Sequence, residues 1–183
     1  MHFRFETAVA TLLTVGLIAT SIPAEHDIQY GSAEQLGQLA RNIHESSGLA
    51  ASQIDQEVLW THNDSGDSPT LYALDMEGKK LCDCKIEGAK HVDWEDMASF
   101  RLEGKPHLLI GDVGDNGRTR KEVHLYVVPE PAANDQKATA KRTIRFTYES
   151  GPQDCECVAV DPLDSTILLI AKGWTPVLSL IHI

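Results

Sequence analysis

The chain is short of basic residues. Sixteen Lys and Arg stand against 27 Asp and Glu, a formal net charge of −11. A surface of that sign repels phosphate backbones and anionic headgroups, which argues against nucleic acid and acidic lipid surfaces as partners. Beyond residue 24 no apolar run is long enough to cross a bilayer. The serines near glycine, in Ser46-Ser47-Gly48 and Asn63-Asp64-Ser65-Gly66, lack the Gly-x-Ser-x-Gly elbow of a serine hydrolase. A phosphate-binding glycine loop, a zincin helix and a dinucleotide fingerprint are missing too. What remains is an acidic chain with many carboxylates and no familiar catalytic motif.

The 183 residues suit one domain. Residues 1–24 read as a targeting segment. Arg4 supplies a positive charge, Thr7 to Ala24 is nearly free of charge, and the stretch ends Ser-Ile-Pro-Ala. Ser21 or Ala24 would suit a signal peptidase, and an uncleaved anchor is the rival reading. Export predicts a secreted or periplasmic protein, with the membrane involved only through a retained N-terminal segment. Four cysteines form two Cys-x-Cys pairs, Cys82/Cys84 and Cys155/Cys157. Disulfides, free buried thiols and a metal site all stay open.

From residue 25 to 177 the chain reads as strands and turns. Segments 58–61, 71–74, 108–110, 123–128, 143–148 and 167–170 are short, rich in β-formers and separated by Gly, Asp, Asn and Pro. Residues 143–148 alternate apolar and polar, as a half-exposed strand should, whereas continuous runs such as Leu108-Leu109-Ile110 suit burial on both faces. Ala33–Arg41 is the one helix-like stretch. Residues 129–142, PEPAANDQKATAKR, read as an exposed loop.

A degenerate repeat runs through these strands. Residues 45–50 (ESSGLA), 93–98 (DWEDMA) and 154–159 (DCECVA) begin with an acid and end in an apolar residue and Ala, at intervals of 48 and 61. Each is followed by an apolar strand, and the first two strands run into Asp-x-Gly-Asp: NDSGD at 63–67 and GDVGDN at 111–116. An all-β unit recurring at this period predicts propeller blades.

ESSGLAAS, WTHNDSGDSPTLYALDMEG, DWEDMA, LLIGDVGDN, LYVVPEP, IRFTYESG, DCECVAVDP and LLIAKGW resemble, in that order, the landmarks of a largely uncharacterised family of exported bacterial β-propellers. The resemblance spans about residues 39–174, and the order of the motifs is more specific than any one of them. It departs at Cys157, where the family usually carries Ala. The resemblance implies a secreted propeller of six blades and no established reaction. With about three blade openings, the chain is expected to be an N-terminal fragment, a partial β-propeller. Residues 178–183 (LSLIHI) are what the transposon-end DNA CTGTCTCTTATACACATC encodes, so they are read as a non-native tail.

The acids fall on repeat landmarks. Equivalent blade positions converge at one end of a propeller channel, so Asp64, Asp93, Glu95, Asp112, Asp154 and Glu156 are the expected ligands of calcium or another divalent cation. His62 and Lys172 join them as ligand-binding candidates, with Lys172 aligned on Asp64 and Asp112. Asp67, Asp115 and Asn116 are expected to shape turns. Asp96 is balanced between structure and site, and Trp60, Trp94 and Trp174 are expected to pack blades. An EF-hand is excluded: counting from Asp112, position 3 is Gly114 and position 12 is Val123. The expected function is a binding module for a divalent cation, a small polar ligand or an extracytoplasmic protein. The alternative is a metal-dependent phosphoester or lactone hydrolase, by analogy of fold with propeller phytases and lactonases.

Overall fold

The computed structural model describes residues 31–173 and 177–182. The targeting segment and Trp174 lie outside them. The described residues contain strands and no helix, arranged in three sheets.

The first sheet holds β1 (Ser46–Ala51), β2 (Leu59–Asn63), β3 (Thr70–Leu74) and β4 (Lys80–Glu87), joined in sequence as antiparallel neighbours. The second holds β5 (Trp94–Leu102), β6 (Lys105–Asp112), β7 (Val123–Pro129) and β9 (Arg142–Phe146), also antiparallel. Between β7 and β9 the chain forms β8 (Lys137–Thr139), which pairs in parallel with β4 of the first sheet. The third sheet is β10 (Cys155–Val160), β11 (Thr166–Ala171) and β12 (Val177–His182). All six expected strands are present, although Thr147 and Tyr148 lie beyond the end of β9.

Side chains in strands alternate between faces, and the second sheet uses both. Leu108 and Ile110 of β6, with Tyr126 and Val128 of β7, pack into a core shared with Trp60, Leu71, Ala73 and Ile86 of the first sheet. The intervening Leu109, Leu125 and Val127 pack into a core shared with Val158, Ile167 and Leu169 of the third. The continuous apolar run in β6 is therefore a strand covered on both sides, as its sequence predicts. Each fully buried Leu or Ile contributes about 1.5–3 kcal/mol. Trp60 and Trp94 are buried in the first of these cores, as expected.

Two expectations are corrected. Ala33–Arg41 forms no helix: residues 31–40 have no regular structure and Arg41 lies in a turn. Its apolar residues find little cover, with Leu36 and Leu39 exposed, so packing offers that stretch nothing for helix formation. Residues 129–142 are only partly a loop. Their backbone continues the first sheet, where Gln136 accepts from the Lys85 amide at 2.9 Å and Ala140 donates to Glu87 at 2.9 Å. Such pairing is made by main chain and leaves no apolar signature.

Candidate functional site

The acid-led repeat marks the first strand of each sheet, and each of those strands carries a bulge. Trp94 pairs with Asp112 and Asp96 with Gly111, leaving Glu95 as the extra residue. Cys155 pairs with Ala171 and Cys157 with Ile170, leaving Glu156 as the extra residue. In β1 the irregularity falls between Ser46 and Leu49. A bulge breaks strict alternation and re-aims the inserted side chain. The repeat is thus the sequence form of a bulged opening strand, and two of its bulges deliver a glutamate.

The bulged strands lie side by side. Ser47 Oγ donates to the Glu95 carbonyl at 2.6 Å, joining β1 to β5. The Val158 amide donates to Asp96 Oδ2 at 2.8 Å, joining β10 to β5. Asp96 also accepts from the Met97 amide, so its carboxylate is committed to structure.

Five of the six expected ligands come together. Asp64, Asp93 and Glu95 place one carboxylate oxygen each within 4.8 Å of one another, and so do Glu95, Asp154 and Glu156. Glu95 belongs to both trios. It is 6% exposed, and among the described residues no hydrogen-bond donor reaches its carboxylate. Burial, then the charges of Asp64, Glu156, Asp93 and Asp154, push its carboxyl up to about 8. Burial and the nearby Asp64 raise Asp93 as well, against the opposing pull of Arg120. Asp154 anchors the far side: its Oδ1 accepts the Asp115 amide at 2.9 Å. Lys172 Nζ donates to Glu156 Oε1 at 2.9 Å, and that contact raises the lysine.

Asp112 is the exception. It is fully buried, pairs with Arg120 at 2.9 Å, and accepts the Asp93 amide at 3.0 Å. His124 Nδ1 faces its second oxygen at 3.8 Å. The carboxylate supports the site from behind and belongs to neither trio. The ladder explains the difference. Trp94 pairs with Asp112 as Ser46 pairs with Asn63, and Asn63 Oδ1 accepts the Glu45 amide at 3.3 Å, as Asp112 does for Asp93. Asp112 is therefore the counterpart of Asn63. The counterpart of Asp64 is Lys172, since their amides donate to Glu45 and Asp154, the first residues of their repeats.

His62 also stands apart. It is fully buried, its Nδ1 lies 2.8 Å from the Asn63 carbonyl, and its ring meets Trp94 edge-on at 5.5 Å. Burial lowers it, and it packs against Trp94 outside both trios. Asp67 and Asp115 make turns, as expected. Asp67 accepts from Asn63, Ser68 and Tyr72, and Asp115 from the Thr119 and Arg120 amides. All four cysteines are free thiols.

Gly114 was not among the expected site residues. A Cβ there would sit 2.3 Å from Glu95 Oε1 and 2.6 Å from Asp93 Oδ2. The second glycine of GDVGDN thus leaves room for two of the carboxylates. His91 was missed too. Its ring stacks on Trp94 at 4.4 Å, and its nitrogens contact the Asp64 and Ser68 carbonyls at 2.6 and 3.0 Å. It fixes the backbone that carries Asp64.

Comparison with protein-family models, curated proteins and solved structures returned no match. Hard carboxylate oxygens converging from three sheets are the donor set of calcium or magnesium, and these residues could hold such an ion.

Proposed function

We propose that this chain is an exported, partial β-propeller whose acidic cluster binds a divalent cation, calcium by preference, as a non-catalytic binding module. The propeller reading is supported by three sheets whose opening strands are neighbours and carry the same bulge. Export rests on the N-terminal sequence pattern.

The observation that carries the cation is Glu95. Glu95 is 6% exposed and accepts no hydrogen bond among the described residues, and gathering four further carboxylates around it is costly. A divalent cation removes that penalty by supplying the missing positive charge. The hydrolase alternative shares the cation and adds a reaction. Turnover on ester, lactone and phytate panels distinguishes them.

The test is thermal unfolding of the protein with and without calcium. Binding to the native state alone stabilises by about 2.7 kcal/mol at a hundredfold excess over Kd, which raises Tm. Glu95→Gln combined with Asp93→Asn abolishes the rise. A melting curve identical in EDTA and in 10 mM calcium, roughly ten times the weakest affinity usual for extracellular calcium modules, removes the proposal.

A further inference from the structure

Two carboxylate trios meet at one residue. Asp64 and Asp93 lie on one side of Glu95, Asp154 and Glu156 on the other. We infer that the cluster takes two hard divalent cations side by side, bridged by the carboxylate of Glu95. This rests on the cation reading above and specifies how many ions the site holds and which side chains hold each.

Geometry gives the first reason. Calcium sits about 2.3–2.6 Å from its oxygens, so opposite ligands of one ion are separated by about 5 Å. Each trio meets that limit, with its ligand oxygens within 4.8 Å of one another. The trios are separate groups that share Glu95 alone. Glu95 has two oxygens, and neither is reached by a donor among the described residues.

Charge gives the second. Five carboxylates face one ammonium, Lys172, while Arg120 is already paired with buried Asp112. With all five ionised, four negative charges remain. Two divalent cations cancel them, whereas one leaves half of the repulsion in place. Asp154 and Glu95 are each 6% exposed, so water screens their share of that repulsion only in part.

The sides are built by different sheets. Asp64 follows β2, while Asp93 immediately precedes β5 and Glu95 lies within it. Asp154 and Glu156 sit at the start of β10. The two ions would fasten the first sheet to the second and the second to the third.

Calcium calorimetry on the full chain gives the stoichiometry, and Mn2+ electron paramagnetic resonance reports whether two ions are close enough to couple. The expected result is two ions per chain and an exchange-coupled spectrum at full loading, from ions about 3.5–4 Å apart. Asp64→Asn leaves one ion and Glu156→Gln leaves the other, each losing the coupling. Glu95→Gln weakens both by about tenfold or more. Circular dichroism confirms that the variants fold, and the wild-type spectrum is decisive without them. One ion per chain, or no coupling at saturation, overturns the pair and leaves the single-cation reading standing. No binding of either metal removes both.

Discussion

NDSGD and GDVGDN share a pattern but their glycines answer different needs. Gly66 lies at φ 83° with nothing within 4 Å of where a Cβ would go. It supplies a left-handed turn in open space. Gly114 has no positive φ and is enclosed by carboxylates. It supplies clearance. The aspartates before them diverge as well. Asp64 contributes to the cluster, whereas Asp112 is buried against Arg120. One motif therefore serves as a turn that presents a carboxylate to the cluster in the first sheet, and as a wall that supports two of its carboxylates in the second.

Asp112→Ala against Asp64→Ala tests this division most strongly. Removing Asp112 strands Arg120 and frees the Asp93 amide, and breaking a buried pair costs about 3–5 kcal/mol. Asp64→Ala removes one of several repelling carboxylates, so the metal-free protein should lose at most about 0.5 kcal/mol. Urea unfolding in EDTA measures both. Equal losses would erase the distinction between wall and ligand.

The glycines form the second comparison. Gly114→Ala forces Glu95 and Asp93 apart, an overpacking cost of about 1–3 kcal/mol, with calcium affinity falling about tenfold or more. Gly66→Ala meets no atom but must hold a positive φ, at a cost of about 1–2 kcal/mol. Its calcium affinity should stay within about twofold of the original, well under 1 kcal/mol. Calorimetry on the pair decides, because only the clearance role predicts a loss of affinity.

Much of this division could not be read from the sequence. Strands such as β6 and β7 announce themselves by apolar runs buried on both faces. β4, Lys-Leu-Cys-Asp-Cys-Lys-Ile-Glu, hides because only Cys84 and Ile86 of its eight residues are buried. The convergence of Asp64, Asp93, Glu95, Asp154 and Glu156 was legible because repeat position translates into sheet position. Asp112 was misplaced because pattern matching sets it against Asp64, whereas the hydrogen-bonded ladder sets it against Asn63. A bulge fixes that register, and a bulge has no composition of its own. Gly114 left a trace, a glycine two residues after Asp112, but its purpose depends on carboxylates nearly twenty residues upstream.

Glu95→Gln sharpens the electrostatic side of the comparison. Burial and neighbouring charge raise Glu95 from 4.5 to about 8. Between those values the folded state holds a proton that the unfolded chain has released. The stability this proton confers is present at low pH and is lost as pH rises through about 8. In EDTA, Glu95→Gln should therefore gain of order 1–3 kcal/mol over the original protein at pH 8.5 and lose that advantage at pH 5. Calcium affinity should weaken below about pH 8, where the proton competes for the bridging carboxylate. A difference between the two proteins that stays constant with pH would place the charge elsewhere.

The smallest effect belongs to Lys172, which holds in the third sheet the position Asp64 holds in the first. Its side chain is solvent-exposed, and its pair with Glu156 resembles the surface ion pairs whose net contribution is slight. Lys172→Met should leave Tm unchanged in EDTA. Calcium binding responds differently, because the ammonium competes with a cation for Glu156. Its removal should tighten calcium by a factor of about two to five. Lys172→Asp would give the third sheet the ligand of the first, and calcium affinity should rise further. If Lys172→Met instead weakens calcium, the lysine orients Glu156 for the ion, and the two sheet ends cooperate where the comparison sets them in opposition.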